Sequence, residues 1–138
     1  MKNKKFIFRR FLAGFIDYSI ILAVNYYYIY TFGSLNAEGE YSVTGIKTFP
    51  IMLFWFVYLC VTETTFSSTL GNFIVRLRPV DLQTENKITL KQSVLRHIID
   101  VLDMFFFGLV AIIILKNSNE SQRLGDLLAK TKVIEVEY

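Results

Sequence analysis

The chain has 138 residues, of which 53% are hydrophobic and only 20% are charged. Soluble domains carry about 25% charged residues, and here the charges gather between three long apolar runs, which excludes an ordinary soluble enzyme. The single cysteine excludes a disulfide framework, and a single histidine beside it argues against a zinc site. The net charge of +3 is small and does not indicate nucleic-acid binding. With no nucleophile–base pair and no phosphate loop in the sequence, we expect neither an enzyme nor a cofactor.

The three apolar runs are long enough to form membrane-spanning helices. They cover residues 11–32, 49–66 and 94–115. At 1.5 Å per residue they measure about 33, 27 and 33 Å, against a hydrocarbon core of about 30 Å. Pro50 opens the second run, where a helix tolerates proline best. The sequence predicts an all-α membrane protein, a single domain over residues 1–138, with about three transmembrane helices, a basic cytoplasmic loop and a short C-terminal tail.

Basic residues before the first run set the expected orientation in the lipid bilayer. By the positive-inside rule the N-terminus lies in the cytoplasm, because the chain begins with Lys2, Lys4, Lys5, Arg9 and Arg10. The loop over residues 33–48 is acidic and the loop over residues 67–93 is basic, which agrees with that orientation. We therefore expect a multi-pass protein of a bacterial inner, or plasma, membrane.

The basic loop predicts a small cytoplasmic hairpin. Residues 73–80 and 88–90 would form its two strands around a turn at residues 84–87, although Pro79 confines such strands to a sheet edge. Thr89 followed by Gln92 resembles the capping box that starts a helix. The alternating polar and apolar residues at 131–138 indicate a short strand in the tail.

The third run leaves the side of the C-terminus open. Three full crossings place the tail outside, yet the tail is as basic as cytoplasmic segments are, with Lys116, Arg123, Lys130 and Lys132. Either the acidic residues of the tail offset these charges, or residues 104–115 re-enter the membrane without crossing it.

Ionisable side chains inside the runs form the candidate site, because charges within a membrane usually face protein or water. Asp17 follows Arg10 by two helical turns, and the third run repeats that spacing between Arg96 and Asp103. The second helix runs the other way and brings Glu63 to the same depth. The predicted cation- or proton-binding residues are Asp17, Glu63, Asp100 and Asp103, with Arg10 and Arg96 setting the local charge.

Two interpretations of this convergence stay open. In the first, arginine and aspartate side chains pair across helices and fix their packing. In the second, carboxylates held close together share a proton, which a monovalent cation replaces. His97, beside Arg96, either relays protons near neutral pH or caps the helix at the interface.

Four motifs in order resemble the RDD family of small integral membrane proteins, named for one arginine and two aspartates. The first is Arg10, Ala13 and Asp17; the second is residues 69–72, where Asn72 replaces the family's lysine. The third extends from Leu95 to Asp103, and the fourth, from Arg123 to Val133, contains Asp126. The resemblance covers about Arg9 to Ile134. It implies that Arg10, Asp17 and Asp126 are the family's name residues.

The resemblance also implies transport of undefined ligands, with sodium–proton exchange in some family members. We therefore expect a small ion or solute transporter, or a transport accessory, that acts on monovalent cations or protons. A few helices do not enclose a pathway between two water phases, so transport implies a homo-oligomer. The alternative function is a membrane scaffold that binds a partner protein or, through residues 76–91, anionic lipid headgroups.

Overall fold

The computed structural model of the protein describes residues 6–105, residue 113 and residues 122–137, except for the side chains of residues 103–105. The described part is mostly helical, with two small sheets added to the predicted all-α architecture. The predicted all-α class is therefore corrected by four short strands. In the described residues the strands form two two-stranded ribbons at the ends of the long helices.

Helix α1 covers Ile7–Phe32 and is about 39 Å long at 1.5 Å per residue. It begins before the predicted first span and so includes Arg9 and Arg10, two of the basic residues that precede that span. Its buried residues recur at a spacing of three or four and form one face, which consists of Arg10, Ala13, Asp17 and Ile21. The rest of its surface is largely apolar and exposed. After α1, a small ribbon pairs β1, Ser34–Leu35, with β2, Tyr41–Ser42.

Helix α2 covers Gly45–Phe66 and contains the predicted second span. It starts with a 3₁₀ turn, continues as an α-helix with Pro50 in its first turn, and is π-helical over Phe56–Val61. In the described part of the chain, α2 is the one helix long and apolar enough to cross a membrane. Only 11% of its apolar stretch is buried by protein, whereas a core helix of a soluble protein is mostly buried.

The third long helix, α4, covers Leu90–Phe105. The predicted capping box starts it: Thr89 N–H donates to Gln92 Oε1 at 2.9 Å, and Gln92 N–H donates to Thr89 Oγ1 at 3.3 Å. The remainder of the predicted third span, and with it most of residues 104–115, lies outside the described residues. Three transmembrane helices therefore stay a prediction.

The basic loop and the tail form one antiparallel ribbon. Its strands are β3, Leu77–Asp81, and β4, Thr131–Glu135, with Pro79 opposite Val133. The predicted strand in the tail is confirmed, but the predicted hairpin between residues 73–80 and 88–90 is wrong. Only a single bridge, between Val80 and Lys87, remains of it, because the chain enters the cap of α4 directly afterwards. The ribbon also places the tail beside the loop over residues 67–93, at the same end of the molecule.

Two segments of the chain are copies of one supersecondary unit. Residues 70–81 read LGNFIVRLRPVD and residues 124–135 read LGDLLAKTKVIE. Each begins with a short helix, α3 at Leu70–Ile74 and α5 at Leu124–Ala129, and each ends in a strand of the ribbon. Between helix and strand stands a basic residue with positive φ: 56° at Arg76 and 54° at Lys130.

The two units are related by a local two-fold axis. Pro79 and Val133 hold the same position in their units and face each other in the ribbon. Val136 N–H donates to the Arg76 carbonyl oxygen at 3.0 Å. In the other unit, Leu82 N–H donates to the Lys130 carbonyl oxygen at the same distance.

In each unit the short helix packs on a long one through a glycine. α3 lies on α1, where a Cβ at Gly71 would meet the Ala13 carbonyl oxygen at 2.2 Å. α5 lies on α4, where a Cβ at Gly125 would meet the Arg96 carbonyl oxygen at 2.8 Å. Both distances are shorter than contact allows, so the helices approach this closely only because the residue has no side chain.

The first long helix holds its unit with a side chain from its first turn. Arg9 Nε donates to the Val75 carbonyl oxygen at the end of α3, at 2.9 Å. Arg9 Nη1 lies 2.5 Å from Glu135 Oε1 on β4, so the same side chain also holds the opposite strand. Arg9 therefore connects α1 both to the unit that contains β3 and to the unit that contains β4.

Gln92 does the same for the second long helix. Its Nε2 donates to the Ala129 carbonyl oxygen at the end of α5, at 3.1 Å. It also donates to Asp81 Oδ2 on β3, at 2.8 Å. Because Gln92 and Arg9 make matching bonds, the chain has two matched halves, residues 9–82 and residues 92–136.

Candidate functional site

Buried charged side chains occupy the contact between the two halves. The most central of them is Asp126, in the first turn of α5. Its carboxylate accepts a hydrogen bond from the Arg10 guanidinium, lies 3.1 Å from Arg96 Nε and 3.9 Å from Arg123 Nε, and is fully buried. Burial raises the pKa of Asp126, but the three guanidinium groups outweigh burial and hold that pKa well below its ordinary value.

Glu63, near the end of α2, is the second fully buried carboxylate. Its Oε2 accepts a hydrogen bond from Ser93 Oγ at 2.5 Å and lies 3.1 Å from His97 Nε2. Its Oε1 lies 3.6 Å from Arg96 Nη1. Arg96 thus joins Glu63 to Asp126 and links α2, α4 and α5.

Asp100 completes the arrangement one helical turn after Arg96. Its Oδ2 accepts a hydrogen bond from Arg123 Nη2 at 3.1 Å and lies 3.4 Å from His97 Nδ1. His97 is buried between Asp100 and Glu63, with its ring edge-on to Trp55. We call the connected side chains the charge network: Arg10, Glu63, Arg96, His97, Asp100, Arg123 and Asp126.

Asp17 is buried in a separate set of hydrogen bonds between α1 and the loop. Its Oδ2 accepts from Thr69 Oγ1 at 2.6 Å, and its Oδ1 accepts from Gly71 N–H at 2.8 Å and from Tyr58 Oη at 3.0 Å. Thr69 is also the N-cap of α3. The threonine and glycine of the motif at residues 69–72 are therefore the partners of Asp17.

The predicted site residues take three different places. Glu63 and Asp100 lie in the charge network together with both predicted arginines, Arg10 and Arg96. Asp17 lies outside the network, with neutral donors as its partners. The side chain of Asp103 is outside the described part of the chain. A cation- or proton-binding role for these carboxylates stays a prediction.

Sequence reasoning missed two members of the network as site residues. In the sequence, Arg123 stands as a basic residue of the tail and as the first residue of the fourth family motif, and Asp126 stands as a family residue. A signal for both existed in their spacing: Arg123 N–H donates to Asp126 Oδ2 at 3.0 Å, as in a capping box at the start of α5. The burial of Asp126 follows from the β3–β4 pairing, which the local sequence does not indicate.

Comparison with known proteins identifies the family. The model of the RDD family matches residues 5–130, which is most of the chain. No curated protein and no solved structure matches it. The matched range includes Arg10, Asp17 and Asp126, the residues that the resemblance singled out. The chain therefore belongs to the RDD family and is a membrane-associated protein with one candidate span in its described part.

Proposed function

We propose that this protein is a membrane scaffold whose buried charges lock its helices together. The observation that carries the proposal is that the described buried carboxylates already have partners. Asp126 has three guanidinium groups, Glu63 has Ser93, His97 and Arg96, and Asp17 has three hydrogen-bond donors. A cation that bound there would displace an arginine or a hydrogen bond.

The lock joins segments that are far apart in the sequence. Through Asp126, the guanidinium groups of Arg10 on α1 and Arg96 on α4 meet at the start of α5. Removing one partner of a buried ion pair costs about 3–5 kcal/mol, since the other charge is left buried and uncompensated. The charge network therefore favours one packing of the helices over looser alternatives.

Within this proposal the N-terminus, the ribbon and the tail all lie in the cytoplasm, and the protein is a multi-pass protein of an inner, or plasma, membrane. The positive-inside rule supports the side of the N-terminus. The β3–β4 pairing supports a common side for the tail and the basic loop.

One observation favours transport as a second function. The charge network holds three guanidinium groups and the three carboxylates of Glu63, Asp100 and Asp126, so a proton on His97 would add one positive charge to a balanced set. His97 also contacts two of those carboxylates, Glu63 and Asp100. A proton that leaves and returns at His97 would suit a proton-coupled cation transporter, which a homo-oligomer would have to form.

Flux and stability together separate the two functions. The protein is reconstituted into proteoliposomes as wild type, Asp17→Asn and Glu38→Gln, with insertion matched; Glu38 is an exposed residue of the outer loop. The scaffold predicts no Na⁺- or K⁺-dependent proton flux in the wild type and a lower melting temperature for Asp17→Asn alone. Cation-dependent flux that is lost in an equally stable Asp17→Asn variant would replace the scaffold with the transporter.

A further inference from the structure

The outer faces of the two short helices are apolar, although their inner faces pack on the protein. In α3, Phe73 and Ile74 are 53% and 55% exposed, while Gly71 faces α1. In α5, Leu127 and Leu128 are 44% and 52% exposed at the matching positions. Exposed apolar faces of this kind mark sites of contact with a membrane or with another protein.

A cation follows each apolar face directly. Arg76 and Lys130 are exposed, share a left-handed backbone conformation, and make no ion pair in the described part of the chain. At the boundary of a bilayer, acyl chains lie next to phosphate groups. Apolar side chains followed by an unpaired cation can contact both at once. The charge of the phosphate complements that of Arg76 and Lys130.

The two-fold axis places the two faces at the same depth. Arg9 and Gln92 stand in the first turns of α1 and α4, and each side chain holds the end of one short helix. Because both long helices start at the ribbon, α3 and α5 lie at the same end of the molecule. If α1 starts in the cytoplasm, that end is the inner surface of the membrane.

We propose that residues 70–76 and residues 124–130 are a matched pair of membrane anchors that bind anionic phospholipid. Phe73, Ile74, Leu127 and Leu128 enter the acyl boundary, and Arg76 and Lys130 bind the phosphate headgroups. The proposal deepens the scaffold function and rests on it, since it names the partner of the scaffold as an anionic lipid surface. It extends the lipid contact from the basic loop to the tail.

Tryptophan fluorescence measures where each anchor lies. Trp55 is the single tryptophan, so Phe73→Trp, Leu128→Trp and Gln83→Trp are each made with Trp55→Phe and reconstituted in phosphatidylcholine–phosphatidylglycerol vesicles. Brominated phosphatidylcholine should quench Trp at positions 73 and 128 at least about twofold more than at the exposed turn position 83. Quenching at either anchor equal to that at position 83, with equal access to aqueous iodide, would overturn the proposal.

Charge variants in the native Trp55 background test the headgroup contact. One basic residue near an anionic surface contributes about fivefold in affinity, so Arg76→Gln and Lys130→Gln should each weaken phosphatidylglycerol binding about that much. Lys47→Gln is the control, since Lys47 is exposed at the start of α2 and lies outside both the basic loop and the tail. Equal binding by all variants, or an equal loss in the control, would overturn the headgroup contact.

The melting temperature of Asp126→Asn in the same vesicles keeps this result separate from the scaffold. If Asp126→Asn is as stable as the wild type, the scaffold proposal is wrong, and the anchor proposal, which rests on it, is wrong as well. If Asp126→Asn is destabilised but Trp at positions 73 and 128 is not quenched, only the anchor proposal is wrong.

Discussion

The two halves of the molecule share their backbone contacts and differ in their buried charges. Both use a glycine to seat a short helix, a first-turn side chain to hold its end, and a left-handed basic residue before the strand. Their carboxylates also match: Asp17 bonds to Thr69, the N-cap of α3, as Asp100 bonds to Arg123, the N-cap of α5. These common features are the contacts that both halves use to pack a short helix on a long one.

The differences define the charge network. Where the first half has Asn72, the second has Asp126, and where the first has Thr69, the second has Arg123. When the two long helices are aligned so that Arg9 corresponds to Gln92, Arg10 corresponds to Ser93. In the same alignment Ala13 corresponds to Arg96 and Gly14 to His97. The network thus lies mostly at positions where the halves have diverged, although Asp100 matches Asp17. Its central carboxylate, Asp126, can be removed without erasing the contacts that the halves share.

The largest expected effect comes from removing the hub of the network. Asp126→Asn leaves Arg10, Arg96 and Arg123 without their shared carboxylate and should lower the free energy of unfolding by about 3–5 kcal/mol. The matched control is Asn72→Ala at the same position of the first half, with an expected change within about 0.5 kcal/mol. Denaturant unfolding in lipid nanodiscs measures both. Similar losses at both positions would show that the halves do not differ as described.

A smaller effect should follow from filling the helix contact of the first half. In Gly71→Ala the new methyl group collides with the Ala13 carbonyl oxygen, at an expected cost of about 1–3 kcal/mol. Gly125→Ala should cost less, because its nearest atom is farther away. Gly14→Ala is the control: it meets no atom within 4 Å and, in a helix, should be neutral or stabilising by up to about 1 kcal/mol. Thermal unfolding ranks the three, and a Gly14→Ala loss as large as that of Gly71→Ala would refute the close contact.

Salt distinguishes the matching bonds of Arg9 and Gln92. Each substitution by alanine should lower the free energy of unfolding by about 1 kcal/mol. The Arg9–Glu135 pair is about one-third exposed and charged, so part of the Arg9 effect should disappear in about 1 M salt. The Gln92 effect should persist, because a neutral amide donates there. Equal salt dependence of the two variants would count against this assignment.

The smallest effect concerns acid pH. The pKa of Asp81 is lowered to about 2 by hydrogen bonds from Thr84 N–H, the Gln92 amide and Gln83 N–H. A lowered folded-state pKa contributes stability above the unfolded value of about 3.9, and that stability is lost as the pH falls toward about 2. Asp81→Asn should therefore flatten the acid limb of the melting-temperature curve. An unchanged slope between pH about 4 and 2 would contradict the role of Asp81.

Sequence reasoning succeeded where the signal was local. The periodic apolar runs indicated α1 and α2, the Thr89–Gln92 pair indicated the start of α4, and alternation indicated β4. It failed where the partner is distant: nothing near β3 indicates that it pairs with the tail rather than with residues 88–90. The repeat of residues 70–81 also gives only a weak sequence signal, because only its leucine and glycine are identical in the second copy.

The site was predicted in part for the same reason. Spacing placed Glu63 and Asp100 at a common depth, but helix rotation had to be assumed, and α1 turns Asp17 toward Thr69 and Gly71. Arg10 bonds to Asp126 near the other end of the chain, through the fold of the tail. Such a contact follows from the ribbon and not from any spacing within one helix.

A double-mutant cycle between Arg10 and Asp126 tests most directly whether the charges lock the helices. The free energy of unfolding in lipid nanodiscs is measured for the wild type, Arg10→Gln, Asp126→Asn and the double variant. Residues in direct contact couple by about 0.5–3 kcal/mol, and a lock predicts a value in the upper part of that range. If the two single losses add to within about 0.5 kcal/mol, the pair is not coupled and the charge network does not hold α1 to α5.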